Sequence, residues 1–111
     1  KGKVIFRGTP NLEARNPMGT IHGGWYGTIL DSAMACAVMT TLPVGKIQTT
    51  LEFKVNIIRP IPTGVQVDAI GMVEHSGKST GVAVGSLVDV KTGKLYASSS
   101  TTCIIMTPKL K

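Results

Sequence analysis

Residues 23–42 read GGWYGTILDSAMACAVMTTL, and this stretch decides the fold. It is too long for a β-strand and is rich in Ala, Met and Leu, which favours a helix that begins at Gly23 or Gly24 and ends at Leu42. The segment Pro43-Val44-Gly45 that follows is a helix terminator. Because the stretch is apolar nearly all round, we expect this helix to be buried on most sides.

Strand-like segments flank the helix. The first segment after it alternates apolar and polar residues with a period of two, which is typical of a half-buried strand. Short turns at 76–78 and 91–94 separate later segments and imply antiparallel neighbours. The predicted strands are residues 3–8, 47–57, 65–75, 80–90 and 95–107. The sequence therefore predicts a single α+β domain over residues 1–111, whose uncovered apolar surface favours self-association.

The composition supports one compact domain. The 111 residues are 42% hydrophobic and 16% charged, with a mean hydropathy of +0.22, which excludes a disordered chain. No apolar stretch reaches the ~18–20 uncharged residues of a membrane span, and no secretory signal is visible. The chain does not begin with Met, which leaves room for a missing N-terminal segment.

The formal net charge of +6 comes largely from the two ends of the chain. Four of the twelve cations are terminal, namely Lys1, Lys3, Lys109 and Lys111. Without them, the body of the chain has a net charge of about +2. Basic runs with interleaved aromatic residues are absent, so nucleic acid is not an expected partner. A mildly basic body suits an anionic small ligand.

The two cysteines, Cys36 and Cys103, lie among apolar or small residues inside predicted regular elements. Cysteines in such surroundings are typically buried free thiols, and free thiols are typical of a reducing cytoplasm. Two cysteines and two well-separated histidines give no metal-ligand spacing, so we expect no metal site.

Asp31 is the only formally charged residue between Arg15 and Lys46. It lies near the middle of the predicted helix, where Asp has a poor helix propensity and no capping role. A carboxylate among apolar residues costs several kcal/mol unless it is paired or faces a cavity. Most neighbours one turn away on its face are small, which would leave room for a ligand; they are Gly27, Thr28, Met34 and Ala35. A structural carboxylate tied to backbone donors or to a cation is the alternative.

The segment directly before the helix, residues 16–24, reads NPMGTIHGG. Glycines at a helix start leave backbone N–H groups exposed, and these donors lie at the positive end of the helix dipole. The segment therefore predicts an anion or oxyanion site at Gly23 and Gly24. An ordinary loop, with His22 satisfied by a loop carbonyl, is the alternative.

The spacing of these two features has a geometric consequence. Gly23 and Asp31 are eight residues apart, which is a rise of roughly 12 Å along a helix. One carbonyl group cannot contact both the Gly23 N–H and the Asp31 carboxylate of the same helix. If both act on one substrate, a second copy of the chain must supply one of them. The spacing predicts a composite site across a two-fold dimer interface.

These residues resemble the hotdog-fold acyl-CoA thioesterases of the phenylacetate-pathway (PaaI-like) type. The His-Gly-Gly motif followed by an Asp in an Ala/Met-rich helix is the main feature of the resemblance, which covers roughly residues 15–106. The matching motifs are Asn16-x-x-Gly19-Thr20-x-His22-Gly23-Gly24, Thr50 to Asn56, Arg59-Pro60, Ser76-Gly77-Lys78 and Asp89-x-x-Thr92-Gly93-Lys94. The fold implied is an antiparallel sheet wrapped around one long central helix, in dimers that commonly pair into tetramers.

The resemblance also implies roles for individual residues. The Gly23 N–H polarises the thioester carbonyl, and Asp31 from the partner subunit activates water or attacks directly. Asn16 helps to hold the substrate or the water, and His22 lies near the thioester and its leaving thiolate. Thr50 orients the water, although strict alternation along the strand turns the adjacent Thr49, and not Thr50, toward the helix.

The same resemblance points to residues that contact the substrate. Coenzyme A would bring phosphates to the surface, and the candidate cations are Arg59, Lys78 and Lys54, with solvated strand-end cations as the alternative. The Gly24 amide and Gly77, next to Lys78, complete the expected binding residues. Apolar side chains near the helix are candidates to line the acyl pocket, although such side chains are more often core; they are Trp25, Tyr26 and Met34.

The sequence therefore predicts a cytoplasmic acyl-CoA thioesterase that hydrolyses an aromatic or medium-chain substrate. It would act without a metal or redox cofactor, with coenzyme A present only as part of the substrate. A serine or thiol nucleophile has no supporting motif. One alternative is a non-catalytic acyl-CoA or acyl-carrier binding module, which would not need Asp31. Another is a hydratase of the same fold, which is disfavoured because the helix has no His after its first turn.

Overall fold

The computed structural model describes residues 1–108, and its elements lie close to those expected. All five strands are confirmed, with ends that differ from the expected ones by at most two residues. The helix begins at Gly23 as expected but ends at Met39, three residues early, where Thr40 and Thr41 turn back onto its last carbonyls. The elements are β1 (Lys3–Gly8), a short 3₁₀ turn (Leu12–Ala14), α1 (Gly23–Met39), β2 (Ile47–Ile57), β3 (Val67–Ser76), β4 (Thr80–Asp89) and β5 (Leu95–Met106).

The strands form one fully antiparallel sheet in the order β1-β3-β4-β5-β2, and α1 lies across one face of it. Strands β3, β4 and β5 are consecutive hairpins in the centre, whereas β1 and β2 are the two edges. This confirms the α+β architecture, with one helix wrapped by an antiparallel sheet. The edge position of β2 is important for the site because β2 runs beside the helix face that carries Asp31.

A row of small residues across the sheet lets the helix lie directly on the strand backbones. Gly71 of β3 pairs with Gly85 of β4, and Gly85 pairs with Ser99 of β5. A Cβ atom on Gly71 would overlap the backbone of Ala33, and one on Gly85 would come within 3.1 Å of the Met34 side chain. These three residues, Gly71, Gly85 and Ser99, form a shallow surface that we call the helix seat. Contact with it fixes the distance of the helix from the sheet and its rotation about its own axis.

The helix is buried on most of its sides and exposed on one. One side packs into the core, and its fully buried residues are Tyr26, Leu30, Ala33, Met34, Ala37 and Val38. The opposite side is exposed at Thr28, Ser32 and Cys36, which follow one another at four-residue intervals. Apart from its two ends, the helix is thus buried or half-buried on its other sides, as expected, and exposed along one line of small and weakly polar residues.

The two cysteines differ in their exposure to solvent. Both thiols are free, and Cys103 is buried in β5 as expected. The prediction that Cys36 is buried is wrong, because Cys36 lies on the exposed line of the helix.

Of the terminal cations, Lys109 and Lys111 lie outside the described residues. Within residues 1–108, no helix combines the length and the apolar character that crossing a bilayer requires.

The helix seat can be tested by replacing Gly71 with Ala. The added Cβ would meet backbone atoms of Ala33, which cannot move without shifting the helix. We expect Gly71→Ala to lower the free energy of unfolding by about 2 kcal/mol, which is typical of overpacking. Gly8→Ala is the control, because its Cβ would make an ordinary contact at 3.4 Å. Equal urea midpoints for the two variants would contradict the seat.

Candidate active site

The helix N-terminus leaves one backbone donor free. His22 is the N-cap residue in an extended conformation (φ −61°, ψ 137°), and its Nδ1 accepts the N–H of Gly24 at 3.0 Å. Among the described residues, the N–H of Gly23 has no hydrogen-bond partner. Of the two amides that the sequence marks as donors, Gly24 is therefore already used within the chain, and Gly23 remains available to a ligand. The His22 side chain therefore accepts a hydrogen bond from its own helix. The alternative, in which it donates to a loop carbonyl, is not observed among the described residues.

Asn16 organises the loop before the helix. Its Oδ1 accepts the N–H groups of Met18 at 3.0 Å and of Thr20 at 3.2 Å, and its Nδ2 donates to the Thr20 hydroxyl at 2.9 Å. The tight loop closes through Gly19, whose φ of +84° is a conformation that suits glycine. Asn16 thus holds in shape the segment that presents Gly23.

Asp31 is half-buried and hydrogen-bonded to a side chain of β2. The Thr50 hydroxyl donates to Asp31 Oδ1 at 3.1 Å, whereas Oδ2 has no hydrogen-bond partner among the described residues. One carboxylate oxygen is therefore oriented by the protein and the other is open to a water or a substrate. No cation pairs with this carboxylate, so the ion-paired structural alternative does not apply within residues 1–108.

The expectation from alternation that Thr49 faces the helix is wrong. Strand β2 contains a bulge at Leu51, where Thr50 pairs with Cys103 and Glu52 pairs with the next residue of β5, Thr102. The extra residue reverses which positions face the helix. Before the bulge Thr50 faces α1, and after it Phe53 does.

Cys103 lies next to the hydrogen-bonded pair of Asp31 and Thr50, a position that was not predicted from the sequence. It is the residue paired with Thr50 across the ladder between β2 and β5. Burial raises the pKa of the Cys103 thiol, and the nearby hydroxyls of Thr50 and Thr101 offset part of this effect. The thiol is thus kept protonated at neutral pH and is a packing group beneath Thr50.

A pocket of about 440 Å³ lies between α1 and β2. Gly23, Gly27 and Asp31 follow one another at four-residue intervals along one face of the helix and form its floor. The wall formed by β2, namely Phe53 and Val55, was not predicted, because alternation alone does not show which helix residues face a strand. The remaining lining residues are Gly24, Thr28 and Ser32.

A second pocket of about 380 Å³ adjoins the first at Gly23. It lies between the loop before the helix and the end of β2, and it brings together Asn16, Gly23 and Arg59. Tyr26 and Ile57 also line it. Gly23, with its free N–H, therefore lies where a pocket of mixed polar and apolar lining meets a pocket of mainly apolar lining.

The other proposed cations are not brought to these pockets within one chain. Lys54 lies between Phe53 and Val55 in β2, and so faces away from the helix. Gly77 and Lys78 lie in the turn between β3 and β4. This turn is near the C-terminal end of the helix, because the hydroxyl groups of Ser76 and Thr41 are 2.7 Å apart and hydrogen-bonded.

The three candidate acyl-lining residues do not line the pocket that holds Asp31. Tyr26 is buried, donates to the Arg59 carbonyl at 3.1 Å and accepts the Ile61 N–H at 3.0 Å, and burial raises its pKa. Met34 is fully buried and accepts a hydrogen bond from Ser99 at 3.4 Å. Trp25 lines a groove on the other side of the helix with Phe6. All three positions are therefore explained by packing or by other surfaces.

The fold and the site together define a class of enzyme. A half-buried carboxylate can act as a general base, and a free amide at a helix N-terminus can stabilise an oxyanion, both of which suit acyl transfer to water. Residues 18–96 match the Thioesterase superfamily, and the chain belongs to this family. Its fold is the hotdog fold, and its activity is thioester hydrolysis.

Individual proteins are similar to this chain in sequence or in fold. Human acyl-coenzyme A thioesterase 13 is 28% identical over 96 residues, which are 86% of this chain and 68% of the human protein. The Escherichia coli PaaI protein from the phenylacetic acid degradation operon superposes with a TM-score of 0.89 at 22% identity, covering 100% of this chain and 78% of its own. A Streptococcus mutans protein bound to acetyl CoA has the same TM-score and identity, covering 99% and 86%.

The capping role of His22 gives a stability prediction. We expect His22→Ala to lower the free energy of unfolding by about 1 kcal/mol, because the Gly24 N–H loses its acceptor. His22→Asn keeps a short acceptor at the N-cap and should retain most of the stability. Urea unfolding of both variants would measure the difference. Equal losses in the two variants would contradict a capping role.

Proposed function

We propose that this protein hydrolyses acyl-CoA thioesters at two composite sites of a homodimer. The observation that carries the proposal is the carboxylate of Asp31, oriented through Oδ1 by Thr50 and open at Oδ2, in the pocket that also contains the free Gly23 amide. The human relative at 28% identity is named an acyl-coenzyme A thioesterase, and a protein of the same fold holds acetyl CoA. Both names support coenzyme A as the thiol part of the substrate.

The proposed reaction needs one donor, one base and water. The Gly23 N–H donates to the thioester oxygen, where negative charge develops as water attacks the carbonyl carbon. Asp31 Oδ2 takes a proton from the attacking water, so that a C–O bond forms as the water loses its proton. The C–S bond then breaks, the electron pair leaves with the coenzyme A sulfur, and the proton held by Asp31 passes to that thiolate. The products are a carboxylic acid and free coenzyme A, with no further cofactor.

A second subunit is needed because the two groups are too far apart in one chain. The rise between Gly23 and Asp31 is about 12 Å, and helix α1 is continuous between them. A reacting carbonyl lies within about 3 Å of its donor and of its attacking water. Asp31 of the partner subunit would therefore act opposite Gly23.

The edge strand β2 is the surface through which we expect the subunits to pair. It lies at the end of the sheet, so its outer backbone groups are free to pair with another strand. Its exposed apolar side chains would lose solvent contact in a dimer; the largest are Ile47, Leu51, Phe53 and Ile57. Two such dimers would form the tetramer that the resemblance implies.

Further parts of the proposal concern the substrate and the compartment. Arg59 lines the pocket that adjoins Gly23 and would attract the phosphates of coenzyme A. Asn16 and His22 would act by holding the loop and the helix start around the thioester. The acyl group would be aromatic or of medium length. The two free thiols suit the reducing conditions of the cytoplasm.

Replacing Asp31 tests the base. Asp31→Asn retains an acceptor for the Thr50 hydroxyl but cannot take a proton from water, so kcat should fall by about 10²–10⁴. Asp68→Asn is the matched control, because Asp68 pairs with Arg7 at 2.8 Å, outside both pockets at the helix start. Release of free thiol from acyl-CoA, measured on folded protein, gives the rates. Wild-type turnover in Asp31→Asn would refute the proposed role.

The composite site can be tested by mixing two inactive variants. Gly23→Pro removes only the N–H at the first helical position, where proline is well tolerated, and the extended His22 suits a following proline. Alone, it should lower kcat by about 10²–10³.

Co-refolding equal amounts of Gly23→Pro and Asp31→Asn chains should restore about a quarter of wild-type activity. Half of the dimers would then be mixed, and each mixed dimer would contain one intact site of two. A site contained within one subunit would give no recovery. The two parent variants, refolded separately, are the controls for residual activity.

A further inference from the structure

The side chain of Phe53 lies across the helix at Gly27. Two of its ring carbons, Cε2 and Cζ, lie 3.4 and 3.7 Å from the point where a Cβ of Gly27 would be. Glycine in a helix interior costs about 1 kcal/mol relative to alanine. The missing methyl group leaves the ring in contact with the helix surface, so Gly27 and Phe53 together determine the depth of the pocket here.

The ring lies midway between Gly23, the donor of one proposed site, and Asp31 of the same chain, which in the dimer would serve the other site. Gly23, Gly27 and Asp31 share one helix face, so Gly27 is about 6 Å along the axis from each of the other two. The ring of Phe53 is 44% exposed, although it lies within the pocket. It is the largest side chain of that lining, since the helix contributes only small residues and Asp31.

The two pockets that meet at Gly23 differ in two respects that matter for a thioester: only the one with Arg59 contains a cation, and the other has a mainly apolar lining. The pocket with Arg59 also contains Asn16 and Thr20, and a cation at its rim suits the phosphates of coenzyme A. The other pocket has Phe53 and Val55 as its wall, which suits a hydrocarbon group. An acyl group bonded to a carbonyl at Gly23 would extend along the helix toward Gly27 and meet the ring.

We propose that Phe53 is the specificity-determining residue that limits the length of the acyl group. This inference rests on the proposed function. The ring closes the path along the helix face about one turn beyond the carbonyl. Compact acyl groups fit in front of it, and a flat aromatic acyl group can stack on it. A long unbranched chain would have to displace it.

The experiment compares kcat/KM for butanoyl-, hexanoyl-, octanoyl- and phenylacetyl-CoA. In Phe53→Ala, each methylene that can newly be buried should raise kcat/KM about fourfold relative to wild type. The ratio of octanoyl-CoA to butanoyl-CoA should therefore rise at least tenfold, while phenylacetyl-CoA loses its stacking contact and declines. Phe53→Leu keeps an apolar side chain at the same place and should give a smaller shift in the same direction.

Phe6→Ala is the matched control. Phe6 is the other phenylalanine of the chain, is 36% exposed and lies on the opposite edge strand, in the groove with Trp25. Its removal should leave the ratio of octanoyl-CoA to butanoyl-CoA unchanged. A shift in Phe6→Ala without one in Phe53→Ala would place the acyl group in the other groove and overturn the inference.

The remaining outcomes separate this inference from the function beneath it. An equal loss of kcat/KM for all four substrates in both Phe53 variants would show a purely structural role and refute the inference, while the proposed function stands. No turnover of any acyl-CoA by the wild-type protein would refute the proposed function, and the inference with it.

Discussion

The contact on which the rest of the structure depends is that between the helix and the bare backbone of the central strands. Gly71 and Gly85 remove side chains where α1 crosses β3 and β4, and the backbone at Ala33 fills the space. Close packing of this kind permits one rotation of the helix about its axis. That rotation turns the face with Gly23 and Asp31 toward β2. The position of the proposed catalytic groups is thus fixed by residues that lie outside both pockets at the helix start.

At the start of the helix, the backbone N–H groups of the first turn differ in whether they have a hydrogen-bond partner. A helix begins with several N–H groups that have no partner within it, and any of them could bind an anion. The imidazole of His22 accepts the N–H of Gly24, and the His22 carbonyl accepts that of Trp25. The cap therefore stabilises the helix and leaves Gly23 as the donor beside the pocket. One hydrogen bond, from the Gly24 N–H to His22, thus stabilises the helix and removes Gly24 as a competing donor to a ligand.

Much of the fold and part of the site could be predicted, for physical reasons that differ between residues. Period-two alternation and turn residues locate the strands, because each strand has a covered and an open face. Asp31 stands out because an isolated charge in an apolar helix is costly. The side on which Thr50 lies could not be predicted, since one unpaired residue reverses the alternation. The exposure of Cys36 could not either, because a small thiol tolerates both environments.

The bulge at Leu51 has a consequence for the behaviour of the protein in a crowded solution. An edge strand of 11 residues with one open side can accept an extended peptide, and such edges promote aggregation unless bulges or charges interrupt them. Strand β2 has its bulge near the middle, followed by Glu52 and Lys54. The extra residue that turns Thr50 toward Asp31 therefore also disfavours pairing with unrelated strands, whereas the proposed partner, the same strand of a second copy, has the matching irregularity. The backbone irregularity that orients the proposed catalytic carboxylate thus also limits unwanted strand pairing.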